Sequence, residues 1–422
     1  MKILRFSDPA FAKSLLALKR RSEPLPEVER TVREVIAAIR KDGDKALIEL
    51  TAKFGGPQLK ATQIPVFEKP LASVAAKSAI SAARANVRDF ALRSLRKNWT
   101  GRNRQGARVG ERFDPLQRVG IYVPGGTAPL VSTAVMTVTL AAAARVPEIV
   151  VTTPAAKDGS VNAELLHALR YCGATEIYRV GGAQAVAALA YGTDTIRPVQ
   201  KIFGPGNAYV VEAKRQVFGR VAIDLLPGPS EIMVIADATA NPAWIAADLL
   251  AQAEHGHHGS AGFITNSAKL LAVVEKEIGK QLETLSRKDY LAETLEESTW
   301  LVLVRSMKDA VALANDFAPE HLSLVAKDEE ALARDIRTAG AIFLGGYSPV
   351  AAGDFLAGPS HELPTGGAGK SFPGLTVDQF QRRTSVVRLD KTSLKKSAPI
   401  IETFARIEGL DAHGRSVMIR FS

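Results

Sequence analysis

The strongest constraint on this chain is a repeated alternation. A short apolar run, a glycine-bearing turn and a helical period follow one another from residue 119 onward. Residues 119–123 run into Pro124-Gly125-Gly126, and a helical stretch follows. Residues 148–153 read as a strand and 162–172 as a helix. Strand 176–180 leads through Gly181-Gly182 to helix 183–191. Residues 201–203 lead into Gly204-Pro205-Gly206-Asn207 and another helix, and 221–224 close the series. A second series starts at 232–236. It continues through helix 242–254, strand 262–265, helix 267–285, strand 300–304, helix 307–317, strand 322–325, helix 328–338 and strand 341–344. Such alternation predicts parallel sheets covered on both faces. In such sheets ligands bind beyond the carboxyl ends of the strands. The turns at Gly125, Gly181 and Gly204 fall there, and Asp354, after strand 341–344, is expected on the same side.

The predicted fold class is α/β: two Rossmann-like parallel-sheet domains with small helical N- and C-terminal segments. The dinucleotide fingerprint is incomplete, because Gly204-Pro-Gly206-Asn207 lacks a third glycine and the acidic ribose ligand. Residues 8–53 read as helices with a break at Asp42-Gly43, and 70–97 as a long helix. Residues 105–114 suit a hairpin or loop, 366–375 a loop, and 376–422 a mostly helical tail. The expected division is an N-terminal helical segment at 1–21 and a discontinuous α/β domain at 22–121 plus 230–375. An inserted α/β domain spans 122–229, and the tail spans 376–422.

Composition bounds the function. At 422 residues, 46% hydrophobic and 23% charged, the chain has the make-up of a globular protein of more than one domain. Its net charge of +10 favours anions. The basic residues carry no interleaved aromatic pattern, so a small anionic cofactor is expected and nucleic acid is not. The single cysteine, Cys172, excludes an internal disulfide and a thiolate zinc finger, and suits the cytoplasm. No secretory h-region is visible, and the apolar stretch 128–146 reads as a buried helix, with no membrane partner expected.

Four of the seven histidines sit in motifs that also carry acids or amides. In Gln252-Ala-Glu254-His255 the amide and imidazole are three residues apart, on one face of a helix end. They suit a shared metal or, equally, a helix C-terminus. Glu320-His321 supplies adjacent proton handlers, or an incidental turn after Pro319. Asp354 suits a metal ligand or an N-cap. His361 lies in the turn Gly358-Pro-Ser-His-Glu-Leu-Pro364, and Glu408 and His413 lie close together near the C-terminus. His257 and His258 read as non-ligands, and His167 and Cys172 as structural.

In order, Tyr122-Val-Pro-Gly-Gly, Gly-Gly-Ala-Gln184-Ala, Gly-Pro-Gly-Asn207, Gly-Pro-Ser230-Glu, Gln-Ala-Glu-His255, Pro-Glu-His-Leu, Gly-Asp354, His-x-Leu-Pro-Thr and Glu-Gly-Leu-x-Ala-His413 resemble the histidinol dehydrogenases from about residue 25 to 420. The resemblance implies zinc held by Gln252, His255, Asp354 and His413, and Glu320 and His321 as the catalytic pair. It implies substrate contacts from Ser230, His361 and Glu408 besides the metal ligands and His321, and NAD contacts from Tyr122, Gln184 and Asn207. It further implies a homodimer whose exchanged C-terminal tail brings Glu408 and His413 to the partner's site. The implied activity is a four-electron, NAD-linked oxidation of L-histidinol through L-histidinal to L-histidine, in the cytoplasm. Val350 and Ser360 stand where the family usually carries Glu and Asn. A related branch acts on a sulfopropanediol with the same zinc scaffold. A zinc hydrolase would use the same ligands without needing Tyr122, Gln184 and Asn207.

Overall fold

The computed structural model describes residues 1–18, 25–125, 129–254, 256 and 259–422. His255, His257, His258 and Gly126 lie outside the described residues.

The alternation builds two parallel sheets. The strands of the first are β4 (Arg118–Tyr122), β5 (Glu148–Thr152), β6 (Glu176–Tyr178), β7 (Lys201–Phe203) and β8 (Ala222–Ile223), in the spatial order β6-β5-β4-β7-β8. The second holds β9 (Glu231–Ala236), β10 (Ser260–Thr265), β11 (Thr299–Leu303), β12 (His321–Val325) and β13 (Ala341–Leu344), with β1 (Lys2–Arg5) added beside β11. Counted within each series, both run 3-2-1-4-5, the doubly wound order, so each has a switch point beside its first strand. Both sheets are fully parallel. Their near-continuous apolar strands are buried on both faces, as parallel strands require.

Side-chain caps start several of the helices. Asn162 accepts the Leu165 N–H at 2.9 Å, and Asn207 accepts those of Tyr209 and Val210 at 3.1 and 3.2 Å. Helix Val131–Ala143, the apolar stretch that follows β4, is almost wholly buried. No helix of the described residues is long and apolar enough to cross a membrane. Gly43, at φ 51° and ψ −126°, is a non-helical kink that divides Pro26–Lys53 into two helical halves, at the expected break.

Four expectations need correction. The segment 1–21 is not only helical, because β1 extends the six-stranded sheet in register with β11. The stretch 22–121 belongs chiefly with the inserted sheet, although Asn86 donates to the Leu356 carbonyl and Gly358 lies against Asn86 and Phe90. Helix Pro26–Lys53 lies on helices Gly182–Tyr191 and Ala208–Val217, and helix Val74–Ser94 on Val131–Ala143 and Ala163–Cys172. Both helices thus cover the five-stranded sheet, since their apolar faces match its cores. The tail contains a strand, β14 (Gln381–Arg388). It joins β2 (Trp99–Arg102) and β3 (Arg108–Pro115) in an antiparallel sheet ordered β14-β3-β2. Helix Lys288–Ser298, absent from the sequence reading, precedes β11. Beyond β14, helices Lys391–Ile407 and Asp411–Met418 pack on each other.

Candidate active site

The acid–imidazole pair sits at the start of β12, not at a carboxyl end. His321 is the first residue of that strand and stands opposite Ile232, the second residue of β9. The candidate site therefore lies at the amino ends of the six-stranded sheet, beside the β9–β12 switch. Asp354 reaches it because helix Val350–Phe355 folds back from the end of β13. The expectation that Asp354 lies on the carboxyl side is corrected accordingly.

Backbone groups of β9 hold the pair. Glu320 Oε2 accepts from Ser230 Oγ and from the Glu231 N–H, both at 2.8 Å. Two such charge-assisted bonds fix a carboxylate's orientation. His321 Nδ1 lies 3.0 Å from the Glu231 carbonyl, so Nδ1 carries the proton. That leaves Nε2 facing Asp354 Oδ1 at 3.7 Å, buried and without a hydrogen-bond partner among the described residues. Burial opposes the charged ring, but Glu320, Asp354 and the Glu231 carbonyl outweigh it and raise His321 to about 9. Ser230 is thus joined to Glu320, and its carbonyl accepts the Ser260 N–H at 3.0 Å. Gly259 lies against that carbonyl and beside Gln252 Nε2.

Gln252 is buried at the end of helix Pro242–Ala253, and its Nε2 has no partner among the described residues. Amide oxygen and nitrogen are interchangeable in placement, so this orphan is an available carboxamide end. An orphaned amide and the Asp354 carboxylate are N/O donors of the kind that suit a borderline cation. His255 lies outside the described residues. His413 and Glu408 are exposed at the ends of the two tail helices. Among the described residues no three His, Cys, Asp or Glu side chains gather as a metal group. One chain therefore brings together part of the proposed ligand set and leaves its tail members outside.

His361 joins from the other side. Its Nδ1 donates to the Asp354 carbonyl at 2.9 Å, and its Nε2 lies 3.3 Å from Thr133 Oγ1 and 3.5 Å from Glu362 Oε1. Burial opposes the charged His361, but Glu362 and Asp354 raise its pKa above the ordinary imidazole range. Ser360 Oγ accepts the Glu362 N–H at 3.3 Å, and Val350 packs in the apolar cluster around Ile232 and Val234. At these two departures the chain shows a turn contact and a core contact.

The three candidate NAD residues cluster at the carboxyl ends of the five-stranded sheet, beside the β4–β7 switch. Tyr122 ends β4, and its buried hydroxyl accepts the Gly182 N–H at 3.2 Å. Gln184 is buried, and its Oε1 lacks a partner among the described residues. Asn207 opens helix Ala208–Val217. A helix N-terminus of this kind suits phosphate. Cys172 and His167 lie apart as expected, Cys172 buried and raised to about 11, and His167 stacked on Tyr171.

Sequence reasoning missed three residues. Glu231 follows Ser230 and binds both members of the pair through its backbone, while its Oε1 accepts the Gly366 N–H at 3.0 Å. Burial raises it to about 7. Its neighbourhood to Ser230 was the available signal. Thr133 and Glu362 meet His361 from places that no local spacing connects.

The histidinol dehydrogenase family model matches residues 18–421. The chain is 46% identical over 398 residues to the histidinol dehydrogenase of Geobacillus kaustophilus, covering 93% of this chain and 94% of that one. It is 42% identical to that of Bacillus subtilis over 410 residues, 96% of each. The crystal structure of histidinol dehydrogenase from Elizabethkingia anophelis superposes with a TM-score of 0.95 at 34% identity, over 100% of this chain and 98% of that one. An acetylating aldehyde dehydrogenase from Geobacillus thermoglucosidasius, 15% identical with a TM-score of 0.51, shares the fold alone. Two doubly wound parallel sheets, one with a buried acid–imidazole pair at its amino ends, form the α/β framework, and the family match makes the protein an oxidoreductase. The chain belongs to the histidinol dehydrogenase family.

Proposed function

We propose that this chain oxidises L-histidinol through L-histidinal to L-histidine, the last step of histidine biosynthesis, with two NAD and one water. The observation that carries the reading is the pair of separately held proton handlers, Glu320 and His321. His321 Nε2 is the unpartnered end of a ring whose other nitrogen is fixed on a carbonyl, so it is the atom that takes the alcohol proton. NAD, held by Tyr122, Gln184 and Asn207, would supply the hydride acceptor for both oxidations. Glu320, oriented by Ser230 and the Glu231 N–H, takes a proton from water as the water oxygen adds to the aldehyde carbon. The carbonyl oxygen takes back the proton that His321 gained from the alcohol, and the resulting diol is the species oxidised to the acid. Zinc, held by Gln252, His255, Asp354 and His413, would supply charge stabilisation and orientation of the substrate. With the Asp354 charge shared with a cation, one cause of the raised His321 value weakens, which favours the neutral base.

Ser230, His361 and Glu408 complete the substrate contacts in this reading. Tyr122, Gln184 and Asn207 line the NAD site within the inserted stretch 122–229. The enzyme acts as a cytoplasmic homodimer, with the 376–422 tail serving the partner's site. Support for the exchange comes from the exposure of Glu408 and His413 on their own chain. The decisive assay follows NADH with L-histidinol, with and without a chelator. Two NADH per histidinol, lost on chelation, are expected. Turnover of a sulfopropanediol in place of histidinol would overturn the substrate, and hydrolysis without NADH would overturn the reaction class.

A further inference from the structure

One buried ion pair takes no part in the chemistry above. Lys214, wholly buried on helix Ala208–Val217, pairs with Asp224, which is 1% exposed and follows β8. Burying both charges costs several kcal/mol per ion, and such a pair is weak evidence of a stabilising role. What the pair grips is one residue, Gly204, through the peptide groups on either side of it. Lys214 Nζ donates to the Gly204 carbonyl at 2.8 Å, and Asp224 Oδ2 accepts the Gly204 N–H at 2.7 Å. Asp224 Oδ1 is itself fixed by the Leu225 N–H at 2.6 Å.

Gly204 is held where no other residue fits. Its φ is 106°, and a Cβ there would collide with the Tyr122 carbonyl. The Gly204 backbone thus abuts Tyr122, whose hydroxyl takes the Gly182 N–H, and Gly182 in turn abuts Gln184 Oε1. Asn207 begins the helix that carries Lys214 back to the turn. All three NAD contacts are geometrically tied to the one residue that the buried pair grips.

We infer that Lys214 and Asp224 are positioning residues that hold the 204–207 turn in the shape that receives the dinucleotide. The inference rests on the proposed NAD reading of Tyr122, Gln184 and Asn207. A helix end binds phosphate only when its backbone donors point at the ligand, and a buried clamp on the preceding peptide fixes that direction.

The test uses the full-length, metal-loaded enzyme and NAD as the probe. Lys214→Met/Asp224→Asn removes both charges together, and Asp224→Asn alone keeps an acceptor for the Gly204 N–H. Calorimetry should give an NAD Kd about tenfold weaker in the double variant, the size of a lost hydrogen bond, and a smaller loss in the single one. Turnover at saturating NAD and the KM for histidinol should stay within about twofold, because uniform binding is what is lost. If the double variant fails to fold, the single variant carries the same comparison. Unchanged NAD affinity in a folded variant, with only thermal stability reduced, overturns the inference. A wild-type protein that binds no NAD overturns the underlying reading and this inference with it.

Discussion

The two parallel sheets share one strand order and use opposite ends of it. At the five-stranded sheet the candidate site residues stand at the carboxyl ends, shaped by glycine turns and a helix cap. Its amino ends hold Arg118, paired with Glu148 and Glu176, each the first residue of its strand. At the six-stranded sheet the candidate reacting residues stand at the amino ends: Glu231 opens β9 and His321 opens β12. The short link 224–230 brings one sheet's carboxyl edge to the other's amino edge. A binding end can be made from backbone, but a reacting end has to collect side chains from distant segments. In the proposed reading only the first is complete within one chain.

That contrast is broken most severely by the tail. His255→Ala and His413→Ala should each be inactive and deficient in zinc by metal analysis. Co-expressed, they should regain about half the wild-type activity per heterodimer, since exchange places both defects in one site. A purified mixed dimer without activity would mean that each chain supplies its own His413. Next in size, Glu320→Gln should lower histidinal oxidation about 10²- to 10⁴-fold and leave histidinol oxidation within about tenfold. Equal losses in single-turnover assays of both steps would remove the division of labour between Glu320 and His321.

The cofactor end should answer more mildly. Tyr122→Phe removes the acceptor of the Gly182 N–H and should weaken NAD about three- to tenfold, with histidinol binding unchanged. A shift in histidinol affinity instead would merge the two ends into one. The smallest effect belongs to the unused edge. The Arg118 hydrogen bonds lower Glu176 from 4.5 to about 2, so this contribution to stability is full above about pH 5 and is lost as pH falls towards 2. Arg118→Met should be less stable than wild type at neutral pH by denaturant melts. The difference should close on acidification, with activity unaltered at neutral pH. A constant deficit down to pH 2 would contradict the pairing.

Legibility in the sequence followed the same division. Strands 201–203 and 341–344 and helix 307–317 were read to the residue, because apolar runs and turn residues mark them locally. Strand β14 was not, since Gln381–Arg388 has few buried residues and forms only by pairing with Arg108–Pro115 far upstream. Packing of the early helices on the inserted sheet was likewise hidden, because the apolar face of Pro26–Lys53 does not name its partner. At the site, Glu320, His321 and Ser230 were legible as motif residues. Thr133 and Glu362 were not, because their role is set by where His361 folds.

The tail helices leave Ile400, Phe404, Ile407 and Ile419 between 48% and 74% exposed. In the proposed dimer, a newly made chain would carry a sticky apolar surface from the moment it folds until it meets a second copy. Two fates compete for that surface, pairing and aggregation, and both are bimolecular. Reactivation after denaturation should accordingly be second-order in chain concentration at low protein, and yield should fall when dilution makes the encounter slow or crowding makes it promiscuous. The rate at which activity appears in a cell is then governed by synthesis rate as well as by folding.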